Sequence, residues 1–514
     1  MAAGRRSGRI TLVLGLACLA AGALSPAAAA GRDLVDHRVL QTGFERIDDL
    51  YLDPVDMERL TLDGLKGLSR LEPRLAFARA GGVLRAELAG LPAGEFALPV
   101  GNRAAEWAGF AARVAEALRG NSPALEKAGP EALYEAMFDA LVADLDPNSR
   151  YTSAAQAEDE RSMREGYVGI GITVKQSGRH TWIVDVLPDG PADRAGIRPG
   201  EALLAVEGSA MEGMSSERVV SRLSGRIGTT VTVAVGNPGQ APRRMTLRRD
   251  RVVPRTVTAA ADGALGVLRI ERFNASTVVN LADGIKRLRE QLGPGAAGWV
   301  LDLRGNPGGL LDQAVAVADR FVASGRIVST EGRHPDSLQR YDARPDDLLE
   351  GAPLVVLIDG RSASAAEVVA AALQDSGRAV VVGASSYGKG SVQTVTRLPN
   401  QGELFLTWSR IHAPSGYTLH RQGVQPTVCT SRGIEAPEQA LEELRQGSAV
   451  PASTLAMWRD RALTDEAALA RLREACPWKE HAPGLDLEVA RALLADPALY
   501  RRALAQGQRD VAQR

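Results

Sequence analysis

Two serines, Ser362 and Ser364, stand one residue apart in the stretch Gly-Arg-Ser-Ala-Ser-Ala-Ala-Glu-Val-Val-Ala at 360–370. A short loop that delivers a serine to the start of an Ala/Val-rich helix can present a nucleophile, but the hydroxyl attacks only when another group takes its proton. The histidines, His37, His180, His334, His412, His420 and His481, are scattered with no triad pattern. Lys389, in Gly-Ala-Ser-Ser-Tyr-Gly-Lys-Gly at 383–390, is a base of another kind. A free lysine, with a pKa of about 10.4, is a poor base. Burial among apolar groups penalises the ammonium and lowers that value, and the neighbours Val381, Val382, Tyr387 and Gly388 permit such a pocket. Gln393, in the alternating run Ser-Val-Gln-Thr-Val-Thr, could hold the lysine by a hydrogen bond. A Ser/Lys dyad needs no histidine.

These residues need elements to carry them. From Gly263 to about Val428 the chain alternates strands and helices. Strands are predicted at 266–270, 298–304, 353–359 and 379–383, with helices at 277–292, 309–321 and from Ser364 onward. That order implies an α/β domain with a mostly parallel sheet, whose active site gathers at the carboxyl ends of the strands. Three loops leave those ends: Arg-Gly-Asn-Pro-Gly-Gly (304–309), the serine loop and the lysine loop. The first is a Gly-rich turn into a helix, which can offer backbone N–H groups to an anion. The N–H of Ala365 lies next to Ser364 in the same way.

Before this domain, from Gly166, comes a Gly-punctuated, β-rich module with strands near 181–187, 229–235 and 243–249 and a helix over 215–223. Residues 31–164 and 431–514 show apolar spacing of three and four, the mark of helices. The fold class is multidomain α/β: a helical region (31–164), a β-rich module (165–253), an α/β core (254–430) and a helical tail (431–514).

Leu-Asp-Leu-Arg-Gly-Asn-Pro-Gly-Gly, Ser-Ala-Ser-Ala-Ala-Glu and Tyr-Gly-Lys-Gly-Ser-Val-Gln, in that order, resemble the carboxyl-terminal processing (tail-specific) peptidases, Ser/Lys proteases with a PDZ domain. The resemblance runs from about Asp144 to Pro426 and includes Gly-Tyr-Val-Gly-Ile-Gly, Ala-Gly-Ile-Arg-Pro-Gly and Gly-Val-Gln-Pro-Thr. It implies a crotonase/ClpP-like core with Ser364 as nucleophile, Lys389 as general base and Gln393 as its partner. The oxyanion hole would be the N–H of Ala365 with one from Gly308 or Gly309, and Ser362 would be structural. The module at 165–253 resembles a PDZ domain. Its Val168-Gly169-Ile170-Gly171 would take a peptide's terminal carboxylate on backbone N–H groups, and Val219 and Leu223 would line the side-chain pocket. The expected partners are protein or peptide substrates bound by their C-termini, with an adaptor or a second copy of the chain as further partners.

Composition narrows the rest. Hydrophobic content is 45%, charged content 24% and net charge −1, so nothing global argues for nucleic acid or an anionic membrane. Arg5, Arg6 and Arg9, an apolar stretch from Ile10 to Leu24 and small residues ending at Ala30 read as a cleaved export leader, 1–30. The expected location is therefore the periplasm, with no stable membrane span after cleavage; secretion and anchoring by an uncleaved leader are the alternatives. Cys18 leaves with the leader. In an oxidising compartment Cys429 and Cys476 are expected to pair. No Cys-x-x-Cys or His-x-x-x-His is present, so neither a metal nor a cofactor is expected.

Three rival readings compete. The run 383–390 nearly fits a P-loop, but Gly390 replaces the Mg²⁺-holding Ser/Thr and a strand pattern follows. Ser386 to Lys389 fits the S-x-x-K of penicillin-binding enzymes, but that motif needs a helix. A silent protease acting as a PDZ scaffold is the non-enzyme alternative, opposed by the intact Ser364 and Lys389. Each feature alone has a plain explanation, such as Ser364 as a helix cap; their joint order carries the reading.

Overall fold

The computed structural model describes residues 26–447, 450–461, 463, 465–479, 482 and 484–508. The expected leader lies outside the described residues except for 26–30, which open a helix, Pro26–Leu50. No helix among the described residues is long and apolar enough to cross a membrane.

The central sheet has six strands in the order Val257–Asp262, Leu265–Ile270, Gly298–Asp302, Leu354–Ile358, Val380–Gly383, Val428–Cys429. The first pair is antiparallel and the others are parallel. Gly298–Asp302, Leu354–Ile358 and Val380–Gly383 are buried on both faces, and their unbroken apolar runs are what a covered parallel sheet requires. One face packs on helices Thr277–Leu292, Leu311–Ala318 and Ala365–Asp375, with Leu301, Val356, Val381 and Ala370 in that core. The other face, with Val300, Val355, Leu357 and Val382, packs on Leu444, Val489, Leu493 and Leu499 of the C-terminal helices. The helical tail is thus the third layer of the domain.

A second sheet runs Gln339–Asp342, Arg326–Glu331, Glu403–His412, Ser391–Arg397, with Arg150–Thr152 added beside Glu403–His412. Its hairpin over 391–412 shares a core with the N-terminal helices through Leu398, Leu404 and Leu406. Residues 31–164 are not helical throughout, which corrects the sequence expectation. They contain an antiparallel meander, Leu75–Ala80, Val83–Leu88 and Leu91–Ala97. The second connection is a two-residue turn with φ of +54° at Ala89 and +79° at Gly90, the geometry that suits a hairpin's twist. Gly81-Gly82 and Ala89-Gly90 between alternating runs were the available signal.

The β-rich module forms a sheet in the order Arg243–Arg248, Thr230–Gly236, Ala202–Val206, His180–Val186, Ile172–Ser177. Ile172–Ser177 is left at the edge of this sheet, and a helix, Ser216–Leu223, packs against it. Tyr167–Gly169 pairs with Asp250–Val252 where the chain enters and leaves.

The tail's role as a cover is testable. Leu493→Ala empties a fully buried position between tail and sheet, and urea unfolding is expected to show a loss of about 2–5 kcal/mol.

Candidate active site

Parallel neighbours Gly298–Asp302, Leu354–Ile358 and Val380–Gly383 end at one edge, so their three loops meet there. The glycine loop is pinned by Asn306. Its Oδ1 accepts from Gly308 N–H (2.8 Å), its Nδ2 donates to Ile270 O (2.8 Å), and its own carbonyl accepts from Ala363 N–H (2.9 Å). Gly308 has φ +104° and lies against the serine: a Cβ there would fall 2.8 Å from Ser364 Cβ. Gly309 has φ +143°, and a Cβ would fall 2.0 Å from Phe273 O. Only glycine fits either place.

The two serines differ sharply. Ser362 is fully buried; its Oγ donates to Leu303 O (2.9 Å) and accepts from Asp359 N–H (2.9 Å). Ser364 is half-buried at the mouth of a cleft, at φ +56° and ψ −114°. A non-glycine residue in that region stores strain of about 1–3 kcal/mol and persists only where the surroundings impose it.

What imposes it is Glu367, a residue with no assigned role in the sequence reading. It is fully buried on the helix that Ser364 begins. Its Oε2 accepts from the N–H of Ser364 (2.7 Å) and of Lys389 (2.9 Å). Its Oε1 accepts from Gly388 N–H (2.6 Å) and Ser386 Oγ (2.5 Å). The Ser386 hydroxyl must donate here, because its oxygen already accepts from Val424 N–H (2.7 Å). Burial pushes the Glu367 pKa up and these donors oppose it; four donors converging on two oxygens suit the ionised carboxylate. The signal was the Ser-x-x-Glu spacing of a capping box.

Ser364, Ala365, Gly308, Gly309, Lys389 and Gln393 line one cleft of about 390 Å³. Lys389 is half-buried. Burial, aided by the charge of Arg150, pushes its pKa below the ordinary lysine range, while Asp146 and Glu367 oppose the shift. There is no hydrogen bond between Ser364 Oγ and Lys389 Nζ. Nor does Gln393 bond to Lys389, which corrects the expected contact. A break in strand register at Val392/Gln393 accompanies a different placement: Nε2 donates to Ser391 Oγ (2.9 Å) and Thr407 Oγ1 (3.2 Å). Of the N–H groups expected to bind an anion, that of Gly308 is engaged by Asn306, whereas those of Ala365 and Gly309 have no partner among the described residues.

In the β-rich module, Ile170 is buried, Gly171 has φ +78°, and the N–H groups of both lack partners among the described residues. Val168 and Gly169 pair with Arg251 and Asp250. Val219 and Leu223 are buried in the module's core, against which Ile172 and Val174 pack. Cys429 and Cys476 are joined by a disulfide with Cα atoms 5.6 Å apart. The rival readings of 383–390 lose their frame: Ser386 is buried and hydrogen-bonded, no helix follows, and strand Ser391–Arg397 begins at once.

The model of peptidase family S41 matches residues 264–430, and that of the PDZ domain matches 156–236. The carboxy-terminal-processing protease of Bartonella bacilliformis is 36% identical over 305 residues, covering 59% of this chain and 70% of that protein. Carboxy-terminal processing protease CtpA of Bacillus subtilis is 30% identical over 306 residues, covering 59% of this chain and 65% of that protein. Among solved structures, the photosystem II D1 C-terminal processing protease is 27% identical, covering 72% of this chain and 92% of that one, at a TM-score of 0.36.

Glu367→Ala leaves four donors without their acceptor. It is expected to lower stability by about 3 kcal/mol or more and to abolish peptide cleavage even in the fraction that remains folded, as read by thermal melting and a peptidase assay.

Proposed function

This chain belongs to the carboxy-terminal-processing serine peptidases of family S41, and we propose that it cleaves peptide bonds with Ser364 as nucleophile and Lys389 as general base. The observation that carries the proposal is the shared Glu367 carboxylate, which holds the backbone of both residues at one cleft. Neutral Lys389 takes the Ser364 hydroxyl proton as Oγ bonds to the scissile carbonyl carbon. The carbonyl oxygen gains the negative charge and is met by the N–H groups of Ala365 and Gly309. The C–N bond then breaks, and the Lys389 ammonium returns its proton to the departing amine. Water, deprotonated by the same amine, adds to the acyl carbon; the bond to Ser364 Oγ then breaks, and the Lys389 ammonium returns the proton to that oxygen. The Ser364–Lys389 hydrogen bond forms as substrate fills the cleft. Gln393 acts from the cleft wall through its carbonyl oxygen, since its amide nitrogen is held by Ser391 and Thr407.

Substrate reaches this cleft by its C-terminus. The edge strand Ile172–Ser177 is open for a peptide to add beside it, and the N–H groups of Ile170 and Gly171 suit a terminal carboxylate. The leader-like N-terminus supports export to the periplasm as the site of action.

Ser364→Ala and Lys389→Ala are each expected to abolish cleavage of an unfolded protein with the fold intact by circular dichroism; wild-type activity in either would defeat the dyad. Ser362→Ala is expected to lose about 1–3 kcal/mol of stability from its broken hydrogen bonds while each folded molecule stays active. The pH profile has a definite sign. The neutral amine is the working form, and burial lowers its pKa, so kcat/KM rises with pH along a limb whose midpoint lies below the 10.5 of free lysine. Gly171→Val, at φ +78°, is expected to weaken binding of an apolar C-terminal peptide by about tenfold or more, or 1.4 kcal/mol, in a fluorescence titration.

A further inference from the structure

The lysine loop is held from two sides. Glu367 takes the N–H groups of Gly388 and Lys389 from within. From the opposite side, the carbonyls of the two preceding residues are taken by Arg473, which lies beyond the region matched by the peptidase family model. Its Nη2 donates to Ser386 O (2.5 Å) and Tyr387 O (3.5 Å), and its Nη1 donates to Arg421 O (2.8 Å) and Gln422 O (2.9 Å). The guanidinium forms no ion pair among the described residues. All four hydrogen bonds of this half-buried cation go to backbone carbonyls, and its guanidinium carbon lies 6.0 Å from the centre of the Trp458 ring.

The residues after Arg473 continue along the site. Cys476 O accepts from both the N–H (3.3 Å) and Oγ (2.6 Å) of Ser385 in the lysine loop. Pro477 O accepts from Ser431 Oγ (2.5 Å). The Trp478 ring covers Gly360 at the start of the serine loop so closely that a Cβ there would fall 2.0 Å from it. One bond fastens this strap to the sheet: Cys476 is linked to Cys429, and Cys429 pairs in register with Gly383, the last residue of the strand that leads to Lys389.

We propose that residues 473–478 form a disulfide-anchored strap that positions the catalytic loops, with Arg473 as the positioning residue for Lys389. This rests on the Ser364/Lys389 reading and extends it: the enzyme works only while the Cys429–Cys476 bond is intact. Attack by a dithiol moves two electrons into the bond. The S–S bond breaks, two cysteine thiols form and the dithiol closes to its own disulfide. The strap then loses its anchor, the carbonyls of Ser386 and Tyr387 lose their fixed donor, and Lys389 moves into water. A solvated lysine regains its ordinary pKa and is an ammonium at neutral pH, so it cannot accept the Ser364 proton.

The test is steady-state cleavage of a fluorogenic peptide by the full chain, with kcat, KM and the pH profile of kcat measured before and after dithiothreitol, and after reoxidation. Arg473→Met and the double variant Cys429→Ala/Cys476→Ala are measured alongside. Reduction is expected to lower kcat by about tenfold or more, leave KM within about twofold, and move the acid limb to higher pH, all reversibly. Arg473→Met should reproduce the fall and the shift without reduction, and the double variant should be low and indifferent to dithiothreitol. If reduction and Arg473→Met lower the melting temperature while kcat and the acid limb stay put, the bond is only a staple and the proposal is overturned. Should the double variant fail to fold, reduction of the native enzyme and Arg473→Met still decide. Ser364→Ala and Lys389→Ala separate the two levels. Activity in either defeats the dyad and the strap together, whereas inactivity in both, beside an unaffected Arg473→Met, defeats the strap alone.

Discussion

The site depends on one buried carboxylate. Glu367 sits inside the serine helix and accepts four hydrogen bonds, two of them from the backbone of Ser364 and Lys389. Those residues come from loops after different strands, and nothing covalent nearby relates them. A carboxylate removed from water is stable only when its oxygens are fully hydrogen-bonded. The demand for donors at Glu367 therefore becomes a constraint on where the serine and lysine loops lie. It also holds Ser364 at a positive φ that a serine in a free loop would leave.

The layers around the site follow from the same economy of burial. The parallel strands are apolar on both faces, so they need helices on both. The helices between the strands cover one face and the tail covers the other. The tail can therefore reach the end of the sheet where the loops emerge, and its segment at 473–478 lies along them. On the far side of the cleft, the hairpin bearing Gln393 is braced by the N-terminal helices through Leu398, Leu404 and Leu406. The elements that line the cleft are thus braced by the N-terminal and C-terminal regions.

Much of this was legible in the sequence. Buried strands read as runs such as Leu-Val-Val-Leu-Ile, and the strand–helix alternation around them gave the domain class and the three loops. Helix Thr277–Leu292 was legible to the residue from its spacing and flanking glycine. The meander at 75–97 was missed because its short Leu/Ala alternation is weak beside the helical signal around it. The hydrogen-bond partners were not legible at all. Nothing local says that Gly308 N–H turns to Asn306, or that Gln393 bonds Ser391 and Thr407 instead of Lys389. The choice between Ser362 and Ser364 depended on resemblance in the sequence, whereas burial and φ separate them in the structure.

The account stands on Lys389 being a neutral amine beside Ser364 at working pH. An NMR titration of isotopically labelled lysine side chains in the folded Ser364→Ala variant reads this directly, with Lys389→Ala assigning the resonance. The Lys389 signal is expected to titrate at lower pH than every other lysine of the chain. A Lys389 signal that titrates with the exposed lysines, near about 10.4, would contradict it.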